Sequence, residues 1–252
     1  MPRTPEFIKA LEHHRAFFVR RCQSLSQRPS DGLLLSWIHH DNMLEGRRFH
    51  TAEIAQALRE NDEQLPKYLH PLMESIRRYR DAILFVWKKA LNGPSEVNLD
   101  NLKRIHRMLT PLERDRPGQY RVSSPVHRDY FQAICPHPAI PQQLRKIFES
   151  IASECDDAWD PTYFAAQTHH RLMHAYPFRR NPGTTLRLFT NLLLLSRGYP
   201  PFIIPAHRRD AYYGALAHPE TDKLGALFSQ AVSHLMERTA TPLSLVTPQR
   251  AV

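Results

Sequence analysis

The sequence predicts an all-α protein, and two observations carry that expectation. Stretches with three-to-four-residue apolar spacing fill most of the chain, and rigid breaks separate them, with 21 prolines against only 8 glycines. The β-branched, alternating runs that mark strands are nearly absent.

Taken in order, residues 4–27 read as a first helix with Phe7, Ile8, Leu11, Phe18 and Leu25 on its apolar stripe. After the turn Pro29-Ser30-Asp31-Gly32, a second helix spans 33–44 and stops at Glu45-Gly46, where Gly46 suits a C-cap. Thr51 reads as the cap of a short helix reaching Arg59. A long helix covers 71–91, with Pro71 in its first turn and Leu72, Ile76, Tyr79, Ile83 and Val86 turned inward. Asn98 or Asp100 caps the next, 99–110. Residues 111–141 are irregular, with extended candidates at 119–122 and 130–134 that suggest a small hairpin. Helices follow at 141–157 and 161–175. The run 184–197 is apolar nearly all round and should be the buried central helix. Helices at 207–217 and 221–238 close the fold. The expected organisation is N-terminal helices over 1–65, a main domain over 66–238 and a flexible tail over 239–252.

A chain of 252 residues can bury a sizeable core without disulfides or a structural metal. Its formal charge of +9 favours anionic partners: nucleotides, phosphates or an acidic protein face. Cys22, Cys135 and Cys155 are too few and too widely spaced for a disulfide scaffold or a metal cluster. No apolar run approaches the roughly 20 residues that span a bilayer, so no membrane partner is expected. The opening MPRTPEFIKALEHH lacks a secretory apolar core, and the expected compartment is the cytoplasm. The basic pairs Arg77-Arg78, Lys88-Lys89 and Arg208-Arg209 are not interleaved with aromatics, which argues against nucleic acid. Trp37, Trp87 and Trp159 read as core or partly buried residues.

Chemistry concentrates in residues 174–187, HAYPFRRNPGTTLR. One helix ends, a loop with Arg179, Arg180 and Asn181 follows, and the central helix begins. The free N–H groups of that helix start, with Gly183 allowing close approach, make an anion cradle to which Arg180 and Arg187 add charge.

Tyr176-Pro177-Phe178-Arg179-Arg180-Asn181-Pro182-Gly183-Thr184-Thr185-Leu186-Arg187 resembles the signature of the Fic (Fido-fold) family, His-Pro-Phe-x-Asp/Glu-Gly-Asn-Gly-Arg-x-x-Arg. LFTNLLLLSRGYPP after it looks like the family's continuation. Pro117-Gly118-Gln119-Tyr120-Arg121 resembles the lead into the family's target-docking β-flap, and PHPAIP (136–141) its close. Asp41-Asn42-Met43-Leu44-Glu45-Gly46 resembles the inhibitory helix motif, Ser/Thr-x-x-x-Glu-Gly/Asn. The resemblance implies a Fido-type helical bundle with a small β-hairpin flap, and an activity that transfers AMP or a related phosphate-containing group to protein hydroxyls. It also implies an unidentified protein partner docking through the flap region 117–140.

The departures point the other way. Tyr176 stands where the family has its general-base His, and a phenol with an ordinary pKa of about 10 is a poor proton acceptor at neutral pH. Arg180 stands where the family's acidic residue holds Mg²⁺, and a cation repels a metal. Pro182 and Thr184 replace the signature Asn and first Arg. No metal and no catalytic residue is therefore assigned. Phe178, Arg180, Asn181, Gly183, Thr184 and Arg187 remain as the expected site for a nucleotide or other phosphate ligand bound without Mg²⁺. The expected function is a degenerate Fic protein that binds anions, nucleotides or a protein. The alternative is a transferase of altered, metal-independent chemistry.

In family members with an inhibitory helix, its Glu bonds the second signature Arg, so the resemblance pairs Glu45 with Arg187. The other reading of Glu45 is a solvated helix end. His170 and His174 have a zinc-compatible (i, i+4) spacing, but no carboxylate or cysteine follows suitably. With His169 they read as helix-surface or interface residues. His174 is an awkward substitute base, because residues two apart point to different helix faces.

Overall fold

The computed structural model describes residues 12, 15, 28–59, 66–125, 134–154 and 160–240. Among them run nine helices: α1 (Asp31–Leu44), α2 (Thr51–Arg59), α3 (His70–Ala90), α4 (Leu99–Leu109), α5 (Ile140–Glu154), α6 (Pro161–Ala175), α7 (Pro182–Leu195), α8 (Arg209–Ala217) and α9 (Asp222–Ala240). The expected helix 4–27, Trp159, Cys22, Cys155 and the tail after 240 lie outside the described residues.

Every residue from Pro182 to Leu194 is buried, so α7 is the central helix its composition demands. It begins two residues earlier than expected because Pro182, with its pre-set φ, fits the first helical position. Helices α3, α4 and α6 pack around it, and α9 lies against α6. Ile76, Tyr79, Ile83 and Val86 of α3 and Leu102 and Ile105 of α4 meet it in one core. Leu34, Trp37 and Ile38 of α1 and Ile54 of α2 belong to the same core, as does Trp87.

Local chemistry fixes the helix ends. Asn98 Oδ1 accepts the Asn101 N–H at 3.0 Å and caps α4, which leaves no such role for Asp100. For α2 the capping position is His50, one residue before the expected Thr51: Ile54 N–H bonds the His50 carbonyl, and Glu53 accepts the His50 N–H at 2.7 Å. Glu96, between α3 and α4, accepts from Asn92, Lys89 and Asn101, which hold its carboxyl down to about 2. Helix α1 ends in a Schellman motif. Gly46, at φ +76°, donates to Met43 O, and Arg47 N–H reaches back to Asn42 O at 2.9 Å.

The hairpin expectation divides. Residues 119–122 are non-helical chain that joins no strand, with Arg121 N–H bonded to the Pro177 carbonyl at 2.8 Å. Of 130–134, only Ile134 is described. No strand occurs among the described residues.

Replacing Gly46 with alanine forces an L residue into left-handed backbone and should cost about 1–2 kcal/mol. Calorimetric melts should show Tm lowered by about 2–4 °C per kcal/mol for a chain this size. Gly214→Ala, in a helix with open space around the new Cβ, should leave Tm unchanged or slightly raised.

Candidate functional site

Helix α6 ends at Ala175, and Tyr176 turns the chain with φ +43° and ψ 60°, a left-handed conformation that is costly for a bulky residue. Two bonds hold it there: its N–H donates to Leu172 O at 3.0 Å, and its carbonyl accepts Arg121 Nε at 2.7 Å. The Tyr176 side chain is 0% exposed and belongs to the core. Asn181, at φ +46°, makes the second left-handed turn and precedes α7. Asparagine tolerates that conformation, and its amide donates to Leu109 O at 2.9 Å and Thr110 Oγ1 at 3.0 Å while its oxygen accepts from Arg47.

One turn into α7, Arg187 is 2% exposed. Asp41 grips it with both carboxylate oxygens, Oδ1 to Nε and Oδ2 to Nη2 at 3.0 Å, and Glu45 Oε1 accepts from Nη2 at 2.8 Å. Burial alone would lower the guanidinium's pKa. The Asp41 and then the Glu45 carboxylate outweigh it and push Arg187 well above its ordinary value, so it stays charged. The resemblance paired Glu45 with Arg187 and gave Asp41 no part in that pairing. The overlooked signal was the spacing, since residues four apart share one face of α1.

Gly183 completes the arrangement. A Cβ built on it would collide with Glu45 Oε1 and stand 2.9 Å from Arg187 Nη1, which is buried without a hydrogen-bond partner. At the start of α7, where an anion cradle was expected, the Glu45 carboxylate of the same chain lies against Gly183. A negative group there also meets the positive end of the helix dipole.

Two side chains tie this loop to the segment leading into the flap. His106 is 0% exposed, stacked on Phe178 with centroids 4.0 Å apart. Its Nδ1 accepts the Gly118 N–H at 2.8 Å, so its Nε2–H must donate to Arg180 O at 3.0 Å. Burial, opposed by that carbonyl, lowers its pKa to about 4 and keeps it neutral. Buried Arg121 donates to the carbonyls of Tyr176, Ser123 and Cys135, joining both legs of the flap region to the end of α6. Neither role was legible beforehand, because the partners are backbone atoms distant in sequence.

The expected site residues thus converge with different fates. Gly183 and Arg187 meet at the cradle, and Thr184 Oγ1 faces Arg187 Nη2 at 3.4 Å. Phe178 is 0% exposed and acts through packing. The Arg180 side chain lies at the rim, its guanidinium 3.3 Å from Asp115. Asp115 is thereby paired with a cation, and the loop offers no carboxylate of its own, so this donor set does not fit Mg²⁺. His170 and His174 turn to α8, donating from Nε2 to His218 O at 2.8 Å and Leu216 O at 3.3 Å. His169 departs from the surface-or-interface expectation: it is a core residue bonded to Thr190 Oγ1 and Tyr212 OH. Thr190 spends its hydrogen on Leu186 O, which makes His169 Nδ1–H the donor and Nε2 the acceptor from Tyr212. No group of three or more His, Cys, Asp or Glu suited to a metal occurs among the described residues. No helix among them is long and apolar enough to cross a membrane.

Architecture and loop together define a Fido-type helical bundle. It is similar to Fic-1 from C. elegans, with TM-score 0.73 and 19% identity over 93% of this chain and 71% of that one. It is likewise similar to a Fic domain containing signaling protein from Bacteroides thetaiotaomicron, with TM-score 0.72 and 17% identity over 92% of this chain and 93% of the other. Residues 96–194 match the model of the Fic/DOC family. Among curated proteins it is 26% identical over 207 residues to Protein adenylyltransferase Fic of Nematostella vectensis, covering 80% of this chain and 47% of that protein. Against Protein adenylyltransferase fic-1 of Caenorhabditis elegans it is 30% identical over 122 residues, 48% of this chain and 24% of that one. The chain spans less than half the length of either relative.

Removing half of a buried ion cluster leaves an uncompensated charge. Asp41→Asn should cost about 3–5 kcal/mol by urea unfolding. Glu45→Gln, at a side chain 16% exposed with one bond to Arg187, should cost about 1.5–3 kcal/mol. Equal losses would shift the weight of the clamp from Asp41 to Glu45.

His106, about 4 in the fold against an ordinary 6.5, gives a pH dependence of definite sign. The unfolded chain binds its proton first, so the stability this histidine confers is complete above about 6.5 and lost as pH falls toward 4. Burial drives His169 the same way. Urea midpoints should fall across that window by up to about 1.4 kcal/mol per pH unit for each histidine, and His106→Gln should flatten the slope.

Proposed function

We propose that this chain is a Fic-fold module that does not transfer AMP and acts by binding, with a self-filled anion cradle as its regulated feature. The observation that carries this reading is the pairing of Glu45 and Asp41 with Arg187 directly over Gly183. A phosphate approaching that cradle would have to displace a carboxylate from its best partner. The fully buried Tyr176 supports the same reading, since an incoming hydroxyl has no path to it in this conformation. Arg180 in the metal-holding position adds to this, because magnesium has no ligand where the family binds it.

Once Glu45 is displaced, the groups available to an anion are Arg187 Nη1, the N–H groups at the start of α7 and the rim guanidinium of Arg180. These are charge and dipole donors that require no metal. They fit a nucleotide or another phosphate ligand bound without Mg²⁺, while the flap region 117–140 remains the proposed face for a protein partner. Cytoplasmic residence is part of the same proposal.

Purified protein incubated with ATP labelled at the α-phosphate, Mg²⁺ and cell extract should label no protein. Tyr176→His alone should not change that, because Arg180 and Glu45 remain. Calorimetric titration with ATP in EDTA should detect no binding to the wild type and measurable binding to Glu45→Gly. That binding should be weakened by Arg180→Glu. Robust labelling by the wild type would overturn the inactive reading, and an unresponsive Glu45→Gly variant would overturn the self-filled cradle.

A further inference from the structure

Helices α8 and α9, joined by a short turn, leave a groove of about 500 Å³ between them on the outer surface. Its α8 wall carries Ala211, Gly214 and Ala215 at i, i+3 and i+4, and its α9 wall carries Lys223, Ala226, Leu227 and Gln230 at i, i+3, i+4 and i+7, spacings that draw each wall into a ridge. The floor is shallow where Gly214 stands, since a Cβ there meets nothing within 4 Å. The ends of the groove are cationic. Arg208, bonded to Gln230, closes one end, and Lys223 with His218 closes the other.

No carboxylate lines this groove, and among the described residues neither Arg208 nor Lys223 has an ion-pair partner. Asp210 is fully exposed beside Arg209, and Asp222 accepts from Tyr163 OH at 2.8 Å. The opposite face of α8 is fully used, with Arg209 Nε and Tyr213 OH both donating to Leu44 O at the end of α1. The groove is therefore separate from the cradle over Gly183 and does not rest on the reading proposed for that site.

We propose that this groove docks an acidic amphipathic helix of a partner protein. Two parallel ridges with an apolar trough between them suit a third helix, whose own ridge of side chains would enter the trough. Alanines and a glycine along the walls let its backbone approach closely. The nine residues of α8 give the trough a length of about 14 Å, or two to three helical turns. Carboxylates flanking the partner's apolar stripe would meet Arg208 at one end and Lys223 at the other. A second copy of this chain is the poorer occupant, because it would bring one basic face onto another.

The test uses the full chain and a fluorescein-labelled helical peptide of about 15 residues, long enough to hold a helix. Its Leu and Ala lie at i, i+3, i+4 and i+7, with Glu on the flanking positions; a twin peptide carries Lys instead. Fluorescence anisotropy should show saturable binding of the acidic peptide only. Lys223→Glu should weaken it by about tenfold or more, and Gly214→Leu, which fills the trough where space is open, should abolish it. Both variants should melt as the wild type does. Four outcomes would each overturn the proposal: no binding of the acidic peptide, equal binding of its Lys twin, binding indifferent to Gly214→Leu, or displacement of the peptide by equimolar decanoate, which assigns the groove to small carboxylates. Self-association abolished by Gly214→Leu would also overturn it, in favour of a second copy.

Discussion

A guanidinium buried in the first turns of an apolar helix is the constraint around which this molecule is arranged. Arg187 is 2% exposed, and an isolated charge at that depth would cost many kilocalories per mole. Two carboxylates from α1 answer it. Two carboxylates face one guanidinium, and Glu45 lies against Gly183 at the positive end of α7. Dipole, guanidinium and carboxylates together satisfy one another, which explains why α1 is tied so firmly to the centre of the fold. The aromatic shell reinforces it: burial raises the phenols of Tyr212 and Tyr213 above their usual range, so they remain neutral around the cluster.

A second, uncharged device serves the other side of the signature loop. His106 accepts one backbone bond, donates another and lays its ring on Phe178, which joins α4, the flap lead-in and the loop through a single side chain. Arg121 does comparable work with three carbonyls. Buried carbonyls need donors as much as buried charges need partners, and here long side chains supply them where neither helix nor sheet can. The loop is consequently held from both sides, by ions at Arg187 and by neutral hydrogen bonds at His106.

The helical frame was legible in the sequence because its signals are local. Prolines, caps and three-to-four-residue spacing depend on neighbours in the chain, so α3, α4 and the buried α7 emerged with ends accurate to a residue or two. The cap of α2 was misread by one residue because Thr51 is the better capping type, yet Glu53 reaches back to the His50 backbone. The approach of Glu45 to Arg187 was also foreseen, from family resemblance. Asp41, His106 and Arg121 escaped notice for a common reason. Each acts across the fold on groups far away in sequence, two of them on carbonyls that leave no mark in the sequence at all.

The residues of the 176–187 loop carry structural contacts. Tyr176 fills core volume and takes the Arg121 bond through its strained backbone. Asn181 knits the loop to Leu109, Thr110 and Arg47, and Thr184 faces Arg187. Arg180 lends its carbonyl to His106 and its guanidinium to Asp115. A working site has to keep a base and a phosphate clamp reachable, which means leaving polar groups incompletely satisfied until substrate arrives. In this loop the Asn181 amide, the Arg180 carbonyl and the Nε and Nη2 groups of Arg187 are engaged within the chain. Arg187 Nη1 is a buried donor without a hydrogen-bond acceptor among the described residues. An orphaned donor costs stability, and this one, placed beside Gly183, is the group that the proposed anion-binding reading would use.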